Sequence, residues 1–254
     1  MIYFMADSHL GSLLHDNPAE VTGRVCRWLD HVSADATAIY LLGDIFDFWY
    51  EFAHAVPPGF DSLLDTIAGI TARGIEVHFF PGNHDQWTFG YLARRTGMTV
   101  HHSTEELTVD NQQFLLAHGH GLGEQRRGTR ILNSIFENRY LRWLFRHLIV
   151  PRWGIAFGYR WSAHNRRRHD KRNTASPDKA IDYYSNHNTD TDAYQVQWAK
   201  QYTASHPHTR YIVMGHLHRE INMILPSGAQ LLILNAFYID GSYACFDGKN
   251  LYLG

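Results

Sequence analysis

Cysteine is nearly missing from this chain: Cys26 and Cys245 are the only two among 254 residues. That scarcity excludes a disulfide-stapled scaffold and a cysteine-rich zinc fold, and it suits a reducing, cytoplasmic setting. Long apolar runs are missing as well; none approaches the roughly 18–20 residues of a membrane-crossing helix. The opening residues Met1–Asp7 hold no basic segment and reach a carboxylate at the seventh position, so a secretory leader is not expected. Low-complexity tracts and internal repeats are absent too. What remains, 44% hydrophobic and 19% charged residues, is the composition of a folded globular core, and the length fits one α/β domain over residues 1–254.

Net charge is also small, formally −2, but it is unevenly spread. Residues 124–172 hold thirteen of the twenty-three Lys and Arg against three acids, Glu124, Glu137 and Asp170, whereas the remainder is strongly acidic. This basic stretch interrupts two strand-rich halves and reads as an inserted, helical segment over about 124–206.

Before the insertion, the pattern repeats strand, loop and helix. Ile2–Ala6 is a buried strand, and Asn17-Pro18-Ala19-Glu20 starts a helix with Asn17 as its cap and Pro18 at its first position. Ala38–Leu42 and Ile75–Phe80 are further strands, separated by a helix over about 60–73. Repeated βαβ units predict a largely parallel sheet. After the insertion, Tyr211–Met214 is followed by short strands at Ile221–Leu225, Leu231–Asn235, Tyr243–Asp247 and Leu251–Leu253, whose turns predict an antiparallel meander.

Five polar clusters stand at the carboxyl ends of predicted strands: Asp7-x-His9, Gly43-Asp44-x-x-Asp47, Gly82-Asn83-His84-Asp85, His118-Gly119-His120 and Gly215-His216-x-His218. In open α/β sheets those ends are where loops converge on a ligand. Singly, each cluster is ordinary turn chemistry. Together they supply carboxylates, imidazoles and one amide, the donors of a divalent ion such as Mn²⁺, Zn²⁺ or Fe²⁺. Asp44 is the best candidate to bridge two ions about 3.5–4 Å apart, as phosphoryl-hydrolysing sites do.

In this order the clusters resemble, across nearly the whole chain, the calcineurin-like metallophosphoesterases. The resemblance implies a four-layer α/β/β/α sandwich with a helical insertion and two divalent ions, Mn²⁺ being the expected pair. It implies that Asp7, His9, Asp44 and His218 hold one ion, and that Asp44, Asn83, His118 and His216 hold the other. It further implies that His84 contacts the phosphate and assists the leaving oxygen, with Asp85 orienting it. Alternatives of the same fold are an enzyme for a soluble nucleotide, a phosphoprotein or a nucleic acid end, and a non-catalytic scaffold.

Asp44-Ile45-Phe46-Asp47-Phe48-Trp49 and Asn138-Arg139-x-x-x-x-Leu144-Phe145 resemble the branch that hydrolyses UDP-2,3-diacylglucosamine to UMP and a diacylglucosamine 1-phosphate in lipid A synthesis. The branch usually has His-Gly-Asp where this chain has His118-Gly119-His120, and its better-known form has Arg at the position of His84. His120, in reach of the site or the phosphate, and Arg160, Ser162 and Asn165 of the insertion are candidate substrate contacts, and the resemblance makes a lipid-linked nucleotide, not a nucleic acid, the expected partner. The insertion suits that partner. Ile131, Leu132, Ile135, Phe136, Leu141, Leu144, Phe145 and Leu148 recur at three- and four-residue spacing, with Arg126, Arg127, Arg130, Arg139, Arg142 and Arg146 between them. Such a helix lies in an anionic membrane interface, with Trp143 and Trp153 as anchors, or forms a lid that receives acyl chains. The competing reading packs the stripe on the domain core. Arg166-Arg167-Arg168 is a pyrophosphate or head-group candidate, or a solvated loop. The expected location is cytoplasmic, peripheral to the inner membrane; oligomeric state is left open.

Overall fold

Strand β1 (Ile2–Met5) runs parallel to β2 (Ala38–Leu41), and side chains on both alternate between two faces. Tyr3, Met5, Ile39 and Leu41 face one apolar cluster, while Ile2, Phe4, Ala38 and Tyr40 face another. β3 (Glu76–Phe79) and β4 (Thr99–Val100) extend the parallel order. β10 (Ala244–Phe246) and β11 (Leu251–Leu253) close the other edge antiparallel, giving the order β11-β10-β1-β2-β3-β4. A second sheet comprises β5 (Glu105–Val109), β6 (Gln112–Leu116), β7 (Tyr211–Met214), β8 (Ile221–Ile224) and β9 (Gln230–Ile233), ordered β5-β6-β7-β9-β8. In this computed structural model, residues 1–109, 111–123, 128, 131, 134–136, 138–174 and 193–254 are described, with the backbone alone at 165, 166 and 168–174.

The sheets pack face to face through Phe4, Tyr40 and Phe80 against Phe114, Val213 and Leu232. Helices α1 (Pro18–Val32) and α2 (Asp61–Ala72) cover the outer face of the first sheet with Val25, Leu29, Leu63 and Ile67. Helix α6 (Tyr194–Ser205) covers the outer face of the second with Val196 and Ala199. The result is the expected α/β/β/α sandwich. Helix α1 begins as its sequence demands: Asn17 Oδ1 accepts from Glu20 N at 3.2 Å, and Pro18 stands at the first turn. The remaining helices are α3 (Tyr91–Thr96), α4 (Arg139–Leu148), α5 (Pro151–Thr174) and α7 (Phe237–Asp240).

Two expectations change. The short strands after β7 do not form one meander: β8 and β9 pair in the second sheet, with β9 also parallel to β7, whereas β10 and β11 pair in the first. Turn residues specify each hairpin but not the sheet it joins. Helix α6, counted with the insertion because it follows the basic stretch, is an outer layer of the sandwich.

The insertion seats on an aromatic platform, Phe48, Tyr50 and Phe52, to which Trp87, Phe89, Phe145, Ile155 and Tyr159 add. Two glycines let α5 come this close. A Cβ on Gly158 would lie 2.3 Å from Phe48 Cε2, and one on Gly154 would lie 2.5 Å from Phe52 Cζ. Of the apolar stripe on α4, Phe145 packs on the platform while Leu144 and Leu148 are exposed, so the reading that buries the stripe in the core does not hold. Leu132, Arg126, Arg127 and Arg130 lie outside the described residues, as do the side chains of Asn165, Arg166 and Arg168. Among the described residues no helix is long and apolar enough to cross a membrane.

Candidate active site

The loops that leave β1, β2, β3, β6 and β7 meet at one end of the two sheets. Five of their polar residues hold left-handed backbone: Asp7 (φ 55°), His9 (45°), Asp44 (50°), His216 (75°) and His218 (52°). Each such conformation costs a non-glycine residue about 1–3 kcal/mol and persists only where surrounding structure imposes it. Gly82 makes the crowding possible, since a Cβ there would stand 2.2 Å from Asp44 Oδ1.

Three donor groups result: Asp7 with His9 and His218; His9 with Asp44 and His84; Asp44 with His118 and His216, each within 4.8 Å. Individual separations are 3.2 Å from His218 Nε2 to Asp7 Oδ1, 3.1 Å from His218 Nε2 to His9 Nε2, and 3.4 Å from His118 Nε2 to Asp44 Oδ2. Donors at normal bond lengths around one ion stand about 3–3.5 Å apart. Asp7 Oδ1, Asn83 Oδ1 and His118 Nε2 are buried and form no hydrogen bond. Buried polar atoms without a partner are rare, and these fit cations held between them. The donor set is therefore that of a divalent-metal centre.

Ring orientation follows from the carbonyls behind the histidines, because a carbonyl can only accept. His118 Nδ1 donates to Leu42 O at 2.8 Å, which turns Nε2 toward Asp44. His84 Nδ1 donates to Asp47 O at 2.9 Å, which turns its Nε2 toward Asp44 Oδ2, 4.0 Å away. Burial disfavours a charged His118, but Asp44 beside it outweighs burial and pushes the ring up to about 10. Burial raises Asp44, yet His118 and His84 hold its carboxyl well below the usual range. Burial brings His9 down to about 4; burial and the charge on His118 bring His216 down to about 3 and His120 to about 4. Neutral His9 and His216 beside an ionised Asp44 are in the protonation states that metal ligation requires, whereas the protonated His118 would have to release its proton to admit a cation.

Asp85 does not orient His84. Its carboxylate accepts backbone N–H groups of Gly82 (2.6 Å), Ile45 (2.8 Å), Phe46 (3.2 Å) and Asp44 (3.3 Å), so it fastens the Asn83-His84 loop to the Asp44 loop. Burial and the Asp44 charge push it up to about 7, against those donors. The residue behind the imidazoles is Asp47, fully buried, whose Oδ1 lies 3.3 Å from His9 Nδ1. Its place in Gly43-Asp44-x-x-Asp47 was the only sequence signal for it. Gln195 was not foreseen either; it is fully buried on α6 and donates to Gly119 O at 2.9 Å.

A cleft of about 330 Å³ opens beside this centre. Asn83, His84, His120, Ser162 and His216 line it with Asp47, Gln86 and Arg142, and Phe48, Trp87, Phe136, Leu141, Phe145, Phe157 and Trp161 supply its mostly apolar surface. His120 thus lines the cleft, its ring 5.4 Å from His118, but stands outside the three donor groups. Ser162 also faces the cleft, nearly buried. Arg160 does not: two residues from Ser162, it sits about 200° around the helix and is exposed. Asn165 is among the side chains outside the description.

No protein-family model matches the chain. A curated UDP-2,3-diacylglucosamine hydrolase of Porphyromonas gingivalis is 35% identical over 254 residues, covering 99% of this chain and 96% of that protein. One of Aeromonas salmonicida is 32% identical over 149 residues, 59% of this chain and 57% of that protein. Among solved structures, a dimetal phosphatase of Danio rerio superposes with a TM-score of 0.51 at 14% identity, covering 99% of this chain and 94% of that one, and so shares the fold. With its sandwich, its converging donors and a relative aligned from end to end, the chain belongs to the UDP-2,3-diacylglucosamine hydrolase family.

Proposed function

We propose that this protein hydrolyses the pyrophosphate of UDP-2,3-diacylglucosamine to UMP and 2,3-diacylglucosamine 1-phosphate, a step of lipid A synthesis, at a pair of divalent ions. The observation that carries this reading is the cleft: Asn83, His84 and His216 of the donor cluster line it together with a wall that is mostly aromatic and aliphatic, interrupted by Gln86 and Arg142. A charged phosphoryl group and an acyl chain need that juxtaposition, and a soluble nucleotide has no use for the apolar half.

Asp7, His9, Asp44 and His218 would hold one ion, and Asp44, Asn83, His118 and His216 the other; Mn²⁺ suits these oxygen and imidazole donors. Bound there, divalent cations supply Lewis acidity, offsetting phosphoryl charge and acidifying water. The chain's own residues do the rest. His84 presents Nε2 to the cleft because Nδ1 is committed to Asp47 O, so with a second proton on Nε2 the ring can donate a hydrogen bond to a phosphoryl or departing oxygen. Asp85 keeps Asn83 and His84 in register with Asp44 through four backbone bonds. Phe48, Trp87 and Phe145 exclude water from the wall that would receive an acyl chain. Water adds across the P–O–P link, one bridging P–O bond breaks, and the departing phosphate leaves with the diacylglucosamine or with uridine.

Trp143 and Trp153 are 59% and 67% exposed, with Leu148 and Val150 between them and Arg139 and Arg152 alongside. That surface supports a peripheral seat on an anionic membrane, on its cytoplasmic side. The test is UMP release from UDP-2,3-diacylglucosamine in mixed micelles with Mn²⁺. Rapid release is expected. Hydrolysis of other phosphoesters with no UMP from this lipid would overturn the assignment.

A further inference from the structure

The insertion and the donor cluster are joined by one hydrogen-bond chain that the reaction scheme above leaves unused. Ser162, on α5, donates its Oγ–H to Asp47 Oδ2 at 2.8 Å. The same Oγ lies 3.2 Å from His84 Nδ1, whose proton is shared with Asp47 O. The other oxygen of that carboxylate, Asp47 Oδ1, faces His9 Nδ1 at 3.3 Å. Asp47 is fully buried and Ser162 is 3% exposed, so neither hydrogen-bonds bulk water instead. One side chain of the insertion therefore touches the imidazole assigned to the leaving oxygen, and through one carboxylate it reaches a candidate ligand.

We propose that Ser162 is a positioning residue. It makes the aim of His84 and His9 depend on whether α5 is seated against the platform formed by Phe48 and its neighbours. This rests on the assignment of the donor cluster as the reaction centre but not on the identity of the lipid. The physical reason is that Asp47 is poised between two rings. Ser162 holds Asp47 Oδ2 while Oδ1 faces His9, and withdrawing α5 takes that hold away from both Asp47 and His84. Partners behind a metal-bound imidazole commonly contribute about 10–100-fold in metal affinity or activity.

Kinetics on the full-length protein separate this role from direct substrate contact. Ser162→Ala, Ser162→Thr and the parent are compared on the lipid-linked nucleotide and on bis-p-nitrophenyl phosphate, a diester too small to need the apolar wall. For Ser162→Ala, kcat is expected to fall about tenfold or more on both substrates with KM nearly unchanged, and Ser162→Thr, which keeps the hydroxyl, restores most of it. Titration of the metal-free chains with Mn²⁺, read by electron paramagnetic resonance, is expected to show binding weakened about tenfold in Ser162→Ala. A loss confined to KM for the lipid substrate makes Ser162 a substrate contact and overturns the proposal. So does an unchanged kcat together with unchanged Mn²⁺ affinity. Should the parent fail on the lipid yet cleave the small diester, the substrate assignment falls while the Ser162 comparison still decides.

Discussion

Asp44 and His84 stand 4.0 Å apart yet carry different duties, and substitutions tell them apart. Asp44→Asn removes the carboxylate common to two donor groups. It is expected to abolish turnover and leave no more than one divalent ion per chain by elemental analysis. His84→Ala is expected to lower kcat about 10²–10⁴-fold, the range for a lost acid–base group, with full metal content. Asp85 is a third case. Asparagine there would turn an amide N–H₂ toward backbone donors that now meet a carboxylate oxygen. A buried donor left unpaired costs about 1–3 kcal/mol, so Asp85→Asn should lower stability by that much in urea titrations of the metal-free protein.

At the scale of elements, the close fit of α5 is the exposed weakness. Gly158→Ala sets a methyl group against the ring of Phe48, which is rigid and buried. Overpacking of this kind costs about 1–3 kcal/mol, and here it is relieved by lifting the helix. The expected result is a higher KM for the lipid substrate, with kcat on bis-p-nitrophenyl phosphate falling in parallel with Ser162→Ala. Elements were legible in the sequence where chemistry and period agreed. The cap at Asn17, the parallel strands, Tyr211–Met214 and all five loop clusters could be read because each is marked by residues close together in the chain. What could not be read depends on distant contacts. Strands β4 and β5 and helix α3 carry weak local patterns, and α3 is instead fixed by Glu51, a buried carboxylate accepting N–H groups of Tyr91 and Leu92 at 2.8 and 3.0 Å. The work of Asp85 and Asp47 was hidden for the same reason: the groups they hold lie up to 115 residues away.

For the whole molecule, the donor cluster is a meeting point of both sheets. Asp7 and Asp44 follow strands of the first sheet, His118 and His216 strands of the second. Ions held between them would tie the sheets together, so loading should stabilise the entire fold. Free Mn²⁺ at about a hundred times its Kd contributes about 2.7 kcal/mol per site. In a domain of this size that is a rise in Tm of roughly 5–10 °C per site, lost again on adding EDTA. Scanning fluorimetry with and without chelator measures it; an unchanged Tm would contradict metal held between the sheets.

Five of the candidate ligands take up left-handed backbone, and that posture has a consequence for which substitutions can ever succeed there. Asp, Asn and His are the side-chain-bearing residues that tolerate it best, and they are also the residues that bind divalent ions. Glutamate, the chemical cousin of aspartate, satisfies the second demand but not the first. The loops thus screen incoming residues by shape before chemistry is asked, and the alphabet left open to these positions is only a few letters long.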